Sequence, residues 1–478
     1  MKWLFLVNDA SFLFEFLGRV SHQLTREGEE CLVVINSKMA EYEKSKFFPK
    51  NTKIISKVDW CIKNYNSDKK DYGNLSWKEL FTDYERFNLY KYGYEKSLEV
   101  INQLYQFFDY IFKKEKPDVV IGEPPAGLFG LIAYYFCKKN SIIFCGIAES
   151  RFQGRTDIYD REWTYSKYEK NFKELRKEDF LPKEIKFAKS FIEKFISHQT
   201  IYSSYYLCKM RFSLPDFIKH YSKRLKEVGN VLLQYFLKRN NFKDFDYESE
   251  AILRRSFKAP FRTIKRNFKI PFQKNIFDKF NPKNKYFFFP IQYEPEASTL
   301  VLATYYSNQL ATIKNTAATL PLPYKLYLKE HPGSIGARSN NFYKEIKKIP
   351  NAVLLSSEEP TPAIISGSMG VITMTSTVGM EAALAGKLVY VLGNVFYSYH
   401  PLCKKAVNFE DLKEKIKKDL NRKLEMGGLE EINLRFIISY LRSSILANMF
   451  FTEEDKNNYK LICREIKKWV REQKYAQF

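Results

Sequence analysis

Of five histidines in the chain, His331 closes the apolar run KLYLKE and has Pro332 directly behind it. Proline fixes the following backbone and stops a strand, so the imidazole is expected at a strand's carboxyl end. From there it can donate to a phosphate oxygen and, if protonated, offset charge on a departing nucleotide. Lys329 belongs to the same turn. A structural role is the plain alternative for a lone histidine.

A second group follows GVITM: Thr375, Ser376 and Thr377, then a helix-like run whose first turns hold Gly379 and Glu381. Unpaired backbone N–H groups at a helix start, its dipole and two hydroxyls make an anion cradle, and glycine permits close approach. Glu381 is then placed to accept two ribose hydroxyls. The plainer readings are that Ser376 or Thr377 caps the helix and that Glu381 is a solvated first-turn acid. A third loop, PIQYEPEAST, presents Gln292, Glu294 and Glu296 before a helix that Ser298 is expected to cap.

Carboxylates that could deprotonate an acceptor hydroxyl or attack an anomeric carbon stand after apolar runs near the N-terminus. Glu123 after DVVIG is the first choice, with Asp9 after WLFLV and Glu149 after IIFCGIA next.

The elements that must position these groups are legible as alternation. Residues 1–150 set WLFLV, CLVVI, DVVIG and IIFCGI between helix-like stretches, which predicts βαβ units and a parallel sheet, with 36–115 as a long helix-like insertion or crossover. In 151–284 clear strands disappear and amphipathic helical patterns such as KEIKFAKSFIEKFI take over, forming a basic helical bridge. Five βα steps from KYFFFPI to LVYVLG make 285–408 a second Rossmann-like lobe, and 409–478 reads as C-terminal helices. The predicted class is α/β, two Rossmann-like lobes facing a central cleft, with ligands beyond the carboxyl ends of the strands.

Composition limits the partners. With 41 Phe, 33 Tyr and 45% hydrophobic residues in 478, the chain folds around deep cores. A net charge of +23 predicts anionic partners of some kind. The stretch RRSFKAPFRTIKRNFKIPFQK contributes eight cations, Arg262, Lys265, Arg266 and Lys269 among them, and no acid. Its phenylalanines recur at helical spacing. A linker helix with its apolar side packed on the body competes here with contact to a membrane surface.

Seven cysteines without a Cys-x-x-Cys pair suggest neither a zinc site nor a disulfide framework, and a reducing cytoplasm fits them. The apolar run at the N-terminus is shorter than a signal-peptide core, and no stretch approaches the roughly 18 apolar residues that span a bilayer.

The series QYEPEAST, YLKEHP, PNAVLL and TMTSTVGMEAALAGKLVYVLG, within residues 285–397, resembles the capsule polysaccharide biosynthesis proteins, GT-B glycosyltransferases related to bacterial Kdo transferases. The resemblance implies that His331 and Pro332 sit by a nucleotide, that Ser376 and Thr377 contact phosphate and that Glu381 meets the ribose. It also implies that donor binding needs no metal or other cofactor. QYEPE carries glutamates where the Kdo enzymes place an aspartate, which leaves the sugar and the stereochemical outcome open.

The expected protein is a cytoplasmic glycosyltransferase peripherally bound to the inner membrane face through the basic stretch. It would move a sugar, CMP-Kdo being one donor, onto a lipid-linked or growing glycan of capsule or lipopolysaccharide. A nucleotide-sugar 2-epimerase, a polyol-phosphate transferase of teichoic-acid type and a basic nucleic-acid-binding protein are the alternatives. No nucleic-acid module signature supports the last.

Overall fold

The run WLFLV, apolar at every position, forms the central strand of a sheet covered on both faces. Leu4 and Leu6 enter one core with Val34, Val120 and Phe108, while Trp3, Phe5 and Val7 enter the other with Val33, Ile121 and Ile466. The computed structural model describes residues 1–8, 13–84, 86–87, 89–160, 166–197, 219, 222, 229, 231–421, 427–449 and 458–476.

Strands β1 (Lys2–Val7), β2 (Glu30–Ile35), β3 (Lys53–Ser56), β4 (Val119–Gly122), β5 (Ile143–Glu149) and β6 (Thr156–Tyr159) lie in the order β3-β2-β1-β4-β5-β6. All neighbours are parallel except β5 and β6, which form an antiparallel edge. The second sheet holds β7 (Tyr286–Pro290), β8 (Lys325–Lys329), β9 (Ala352–Leu355), β10 (Val371–Thr373), β11 (Val389–Val391) and β12 (Cys403–Lys405). Its order is β12-β11-β10-β7-β8-β9, parallel throughout. Both sheets therefore repeat one doubly wound Rossmann order, 3-2-1-4-5-6, and the expected α/β class with two Rossmann-like units is what the chain adopts.

Three short strands, β3, β6 and β12, were not expected. All three lie at sheet edges, where a strand needs no continuous apolar run. The single helix expected over 298–320 is broken into Ala297–Leu300, a 3-10 turn at Thr304–Tyr306 and Gln309–Thr319. Asn308 restarts it by accepting the Ala311 N–H with its side chain, at 3.1 Å.

One compact unit comprises Met1–Trp163, Arg211–Pro260 and Ser444–Phe478, and the other Thr164–Met210 and Phe261–Ser443. The boundaries drawn at 150, 284 and 408 follow strand runs, and packing divides the chain differently. Helix Asn458–Ala476 joins the first unit, where Lys467 pairs with Glu27 and Glu29 and where Ile462, Ile466 and Val470 complete the core beneath helix Phe14–Arg26. Helix Leu429–Ser443 stays in the second unit, where Arg442 clamps Glu184 at 2.8 Å.

Candidate active site

In the second unit, β7 lies between β8 and β10, so the loops that follow these three strands emerge side by side. The chain reverses its strand order between β7 and β10, and open α/β sheets bind ligands at such a switch point. Gln292 bridges it: its side-chain N–H donates to Thr375 Oγ at 2.7 Å. The Gln292 backbone is held in turn by Gln309, which accepts its N–H at 2.8 Å and donates to its carbonyl at 2.9 Å. Gln292 Oε1 is buried without a hydrogen-bond partner among the described residues.

The link between the β7 and β8 loops is a residue the sequence reading passed over. Arg338 donates to Glu330 at 3.0 Å, to Glu294 at 3.1 Å and to the Gln292 carbonyl at 2.5 Å. Its guanidinium also lies 4.6 Å from the Phe342 ring centre. Glu330 has a fully buried side chain and accepts the His331 N–H at 2.6 Å. Burial raises the Glu330 pKa, opposed by the adjacent Arg338 charge. One planar cation thus satisfies acceptors from two loops, a geometry that the flat, five-donor guanidinium fork suits better than a tetrahedral ammonium. No local pattern announces it: KEHP already sets Lys329 beside Glu330, and Glu294 lies 44 residues from Arg338.

His331 stands at the carboxyl end of β8, as expected. Its Nδ1 accepts the Gly333 N–H at 3.0 Å, which leaves the proton of the neutral ring on Nε2. Burial lowers its pKa, and the charges of Arg338 and Lys329 lower it further. At pH 7 the ring is therefore a neutral donor through Nε2–H and carries no charge of its own. The cationic members of the site are Arg338 and Lys329. Burial pushes Lys329 down to about 8, against the pull of Glu381 and Glu359, and its ammonium hydrogen-bonds Thr361.

Glu381 is buried, which removes the reading of a solvated first-turn acid. Ser376 accepts the Val378 N–H at 3.3 Å and donates its own N–H to Thr373 at 3.0 Å; Thr377 occupies the N-cap position without a side-chain cap bond. Gly379 has a packing role that the sequence does not announce. A Cβ there would lie 2.4 Å from the Tyr397 hydroxyl, so glycine admits that ring, whose hydroxyl donates to the Ser376 carbonyl at 2.5 Å. Ser298 does not cap: the N-cap residue is Glu296, whose carboxylate accepts from the Ser298 hydroxyl at 2.7 Å. Pro332 opens the 3-10 turn after His331.

In the first unit, Asp9 lies outside the described residues. Glu123 follows β4 directly, half-buried, beside the equivalent switch point between β1 and β4. Glu149, expected in a loop, is the last residue of β5 and pairs with Thr156 across the antiparallel edge; burial raises its pKa. Sequence reading missed Asp83, which is fully buried. It accepts the Leu128 N–H at 3.0 Å and the Tyr247 hydroxyl at 3.3 Å, and burial pushes it up to about 6.

The basic stretch is one helix, Tyr247–Gln273. Arg266 leaves the expected cationic surface, because its side chain donates to the Ile335 carbonyl at 2.8 Å. Arg262 and Lys265 are exposed and Lys269 is half-exposed. The phenylalanines, expected against the body if the stretch were a linker, face outward instead. Among the described residues no helix is long and apolar enough to cross a membrane.

A family model described as "Capsule polysaccharide biosynthesis protein" matches residues 173–426. No curated protein sequence matches the chain significantly. Among solved structures, the Thermosulfurimonas dismutans KpsC beta Kdo 2,4 transferase aligns at 11% identity and a TM-score of 0.34, over 70% of this chain and 85% of that one. The beta Kdo 2,7 transferase of the same organism's KpsC aligns at 12% and 0.31, over 70% and 79%. UDP-GlcNAc 2-epimerase from Methanocaldococcus jannaschii aligns at 12% and 0.26, over 92% and 99%.

Proposed function

The chain belongs to the capsule polysaccharide biosynthesis protein family, a family of glycosyltransferase type, and from that premise we propose that it moves a sugar from a nucleotide-sugar donor onto a lipid-linked or growing surface glycan. CMP-Kdo is the donor we favour, from the motif order around His331 and Thr375. The observation that supports the reading most is the Gln292–Thr375 hydrogen bond, which ties two strand-end loops together across the switch point of the second sheet.

In this reading the nucleotide phosphate meets the Ser376–Thr377 turn and the Nε2–H of His331, and Glu381 meets the ribose. A neutral imidazole donor stabilises charge growing on a leaving phosphate through a hydrogen bond already aimed by the Gly333 N–H. Lys329 supplies positive charge below about pH 8. Glu123 is the carboxylate we assign to acceptor activation, with Glu149 and Asp9 as the other candidates. We take donor binding to be independent of metal and the protein to act at the cytoplasmic face of an anionic membrane, near its lipid-linked acceptor.

Thermal unfolding with CMP, CDP, UDP and GDP, in the presence of a chelator, tests the donor site. CMP at 100-fold over its Kd should raise the Tm by roughly 5 °C. His331→Ala should lose most of that rise while the unliganded Tm stays put. A response to UDP alone, with an epimer and no transfer product, would replace glycosyl transfer by epimerisation. No response to any nucleotide would defeat the donor site itself.

A further inference from the structure

Helix Tyr247–Gln273 has two opposed sides that differ in kind. On one side Gln273 is fully buried, accepts the Gly336 N–H at 2.8 Å and donates to Asn340 at 2.8 Å; Arg266 is bonded to Ile335. A Cβ at Gly336 would lie 2.4 Å from the Arg266 carbonyl, so the helix seats closely there. At about 100° per residue, positions 259, 263, 266, 270 and 273 share that side.

Phe257, Phe261, Phe268 and Phe272 fall on the opposite side and are 59%, 74%, 72% and 77% exposed, with Ile264 among them. They form a ridge about 22 Å long at the helical rise. Beside its first member, Phe236 comes within 6.3 Å of the Phe257 ring, and Leu233 and Leu237 are exposed next to it. Lys258, Arg262, Lys265 and Lys269 run along one flank of the ridge at the same helical spacing. No carboxylate occurs in the chain between Glu250 and Asp278.

We propose that this helix is an interfacial anchor that lies flat on an anionic bilayer, with the phenylalanine ridge sunk at the boundary between headgroups and acyl chains and the lysine flank among the headgroups. The inference rests on the membrane-surface reading above and adds insertion to it. Exposed aromatic rings in water are costly, and here Phe261, Phe268 and Phe272 each leave more than 70% of their surface uncovered. An acyl boundary takes the rings, anionic headgroups take the ammonium groups, and the lysine stems span the two depths. A protein partner would have to be both apolar along a straight ridge and acidic along one edge; an anionic lipid surface is both everywhere.

Sedimentation with vesicles containing phosphatidylglycerol, against vesicles of phosphatidylcholine alone, tests the anchor. The wild-type chain should bind the anionic vesicles. Phe261→Ser/Phe268→Ser/Phe272→Ser and, separately, Lys258→Gln/Lys265→Gln/Lys269→Gln should each lower that binding at least about tenfold. Both sets remove surface groups, so far-UV circular dichroism and Tm should match the wild type. In a Phe268→Trp variant the added emission should shift to shorter wavelength on anionic vesicles. Wild-type binding that survives in the phenylalanine variant, with no emission shift, would overturn insertion and leave a headgroup-only contact standing. Absence of wild-type binding would overturn the membrane reading as well. A concentration-dependent dimer that dissociates in the phenylalanine variant would assign the ridge to a second copy and overturn the anchor.

Discussion

The two sheets share a strand order and a switch point, and they are furnished in opposite ways. At the carboxyl ends of β7, β8 and β10 the loops are bound to one another: Arg338 joins Gln292, Glu294 and Glu330, and Gln292 reaches Thr375. At the corresponding end of the first sheet, the buried acid Asp83 is occupied with the start of helix Leu128–Lys139 and with Tyr247. Glu123 there is followed by two prolines. A repeated topology therefore supplies only a place; the loops decide whether that place becomes a preorganised polar wall.

The contrast breaks most sharply at Arg338. Arg338→Ala leaves Glu330 buried without its cation, so we expect a loss of about 3–5 kcal/mol in denaturant unfolding. Arg338→Lys should recover only part of it, because an ammonium cannot reach three acceptors in one plane. Full recovery by lysine would reduce the fork to a simple charge.

Asp83 sharpens the comparison from the other side. Its folded pKa of about 6 lies above the ordinary aspartate value of 3.8. The folded state thus holds the proton more tightly, and the contribution to stability is full below pH 4 and fades as pH rises through 6. The linked change is roughly 2–3 kcal/mol. Asp83→Asn should abolish that slope in a series of melts from pH 4 to pH 7; a slope that persists would assign it to other groups.

Lys329 carries the smallest of the three effects. Since it loses its proton near pH 8, nucleotide binding that requires the charged form should weaken about fivefold between pH 8 and pH 9. Lys329→Met should bind more weakly and with a flat profile over that range. A wild-type profile that is already flat would remove Lys329 from the phosphate.

Much of this is legible in the sequence. Each strand from β7 to β11 is an apolar run bounded by turn residues, so five βα steps and their carboxyl-end loops could be named, His331 and Thr375–Thr377 included. Arg338 could not, because Glu330, Glu294 and Gln292, which it joins, lie 8, 44 and 46 residues away and no local pattern encodes them. Asp83 was hidden for the same reason: its partners are 45 and 164 residues distant. That Gly379 also admits the Tyr397 ring was not legible, because the two lie 18 residues apart.

The amino-acid order alone determined the alternation that builds two parallel sheets, the motif series that marks the family, and a helix whose cations and phenylalanines keep separate stripes. These follow from periodicity and backbone chemistry, which act over a few residues. Tertiary structure decided which stripe of that helix faces the body, which ring nitrogen of His331 keeps its proton, and which cation holds the site's carboxylates. Each depends on groups brought together from distant parts of the chain, where burial and a few hydrogen bonds outweigh local preference.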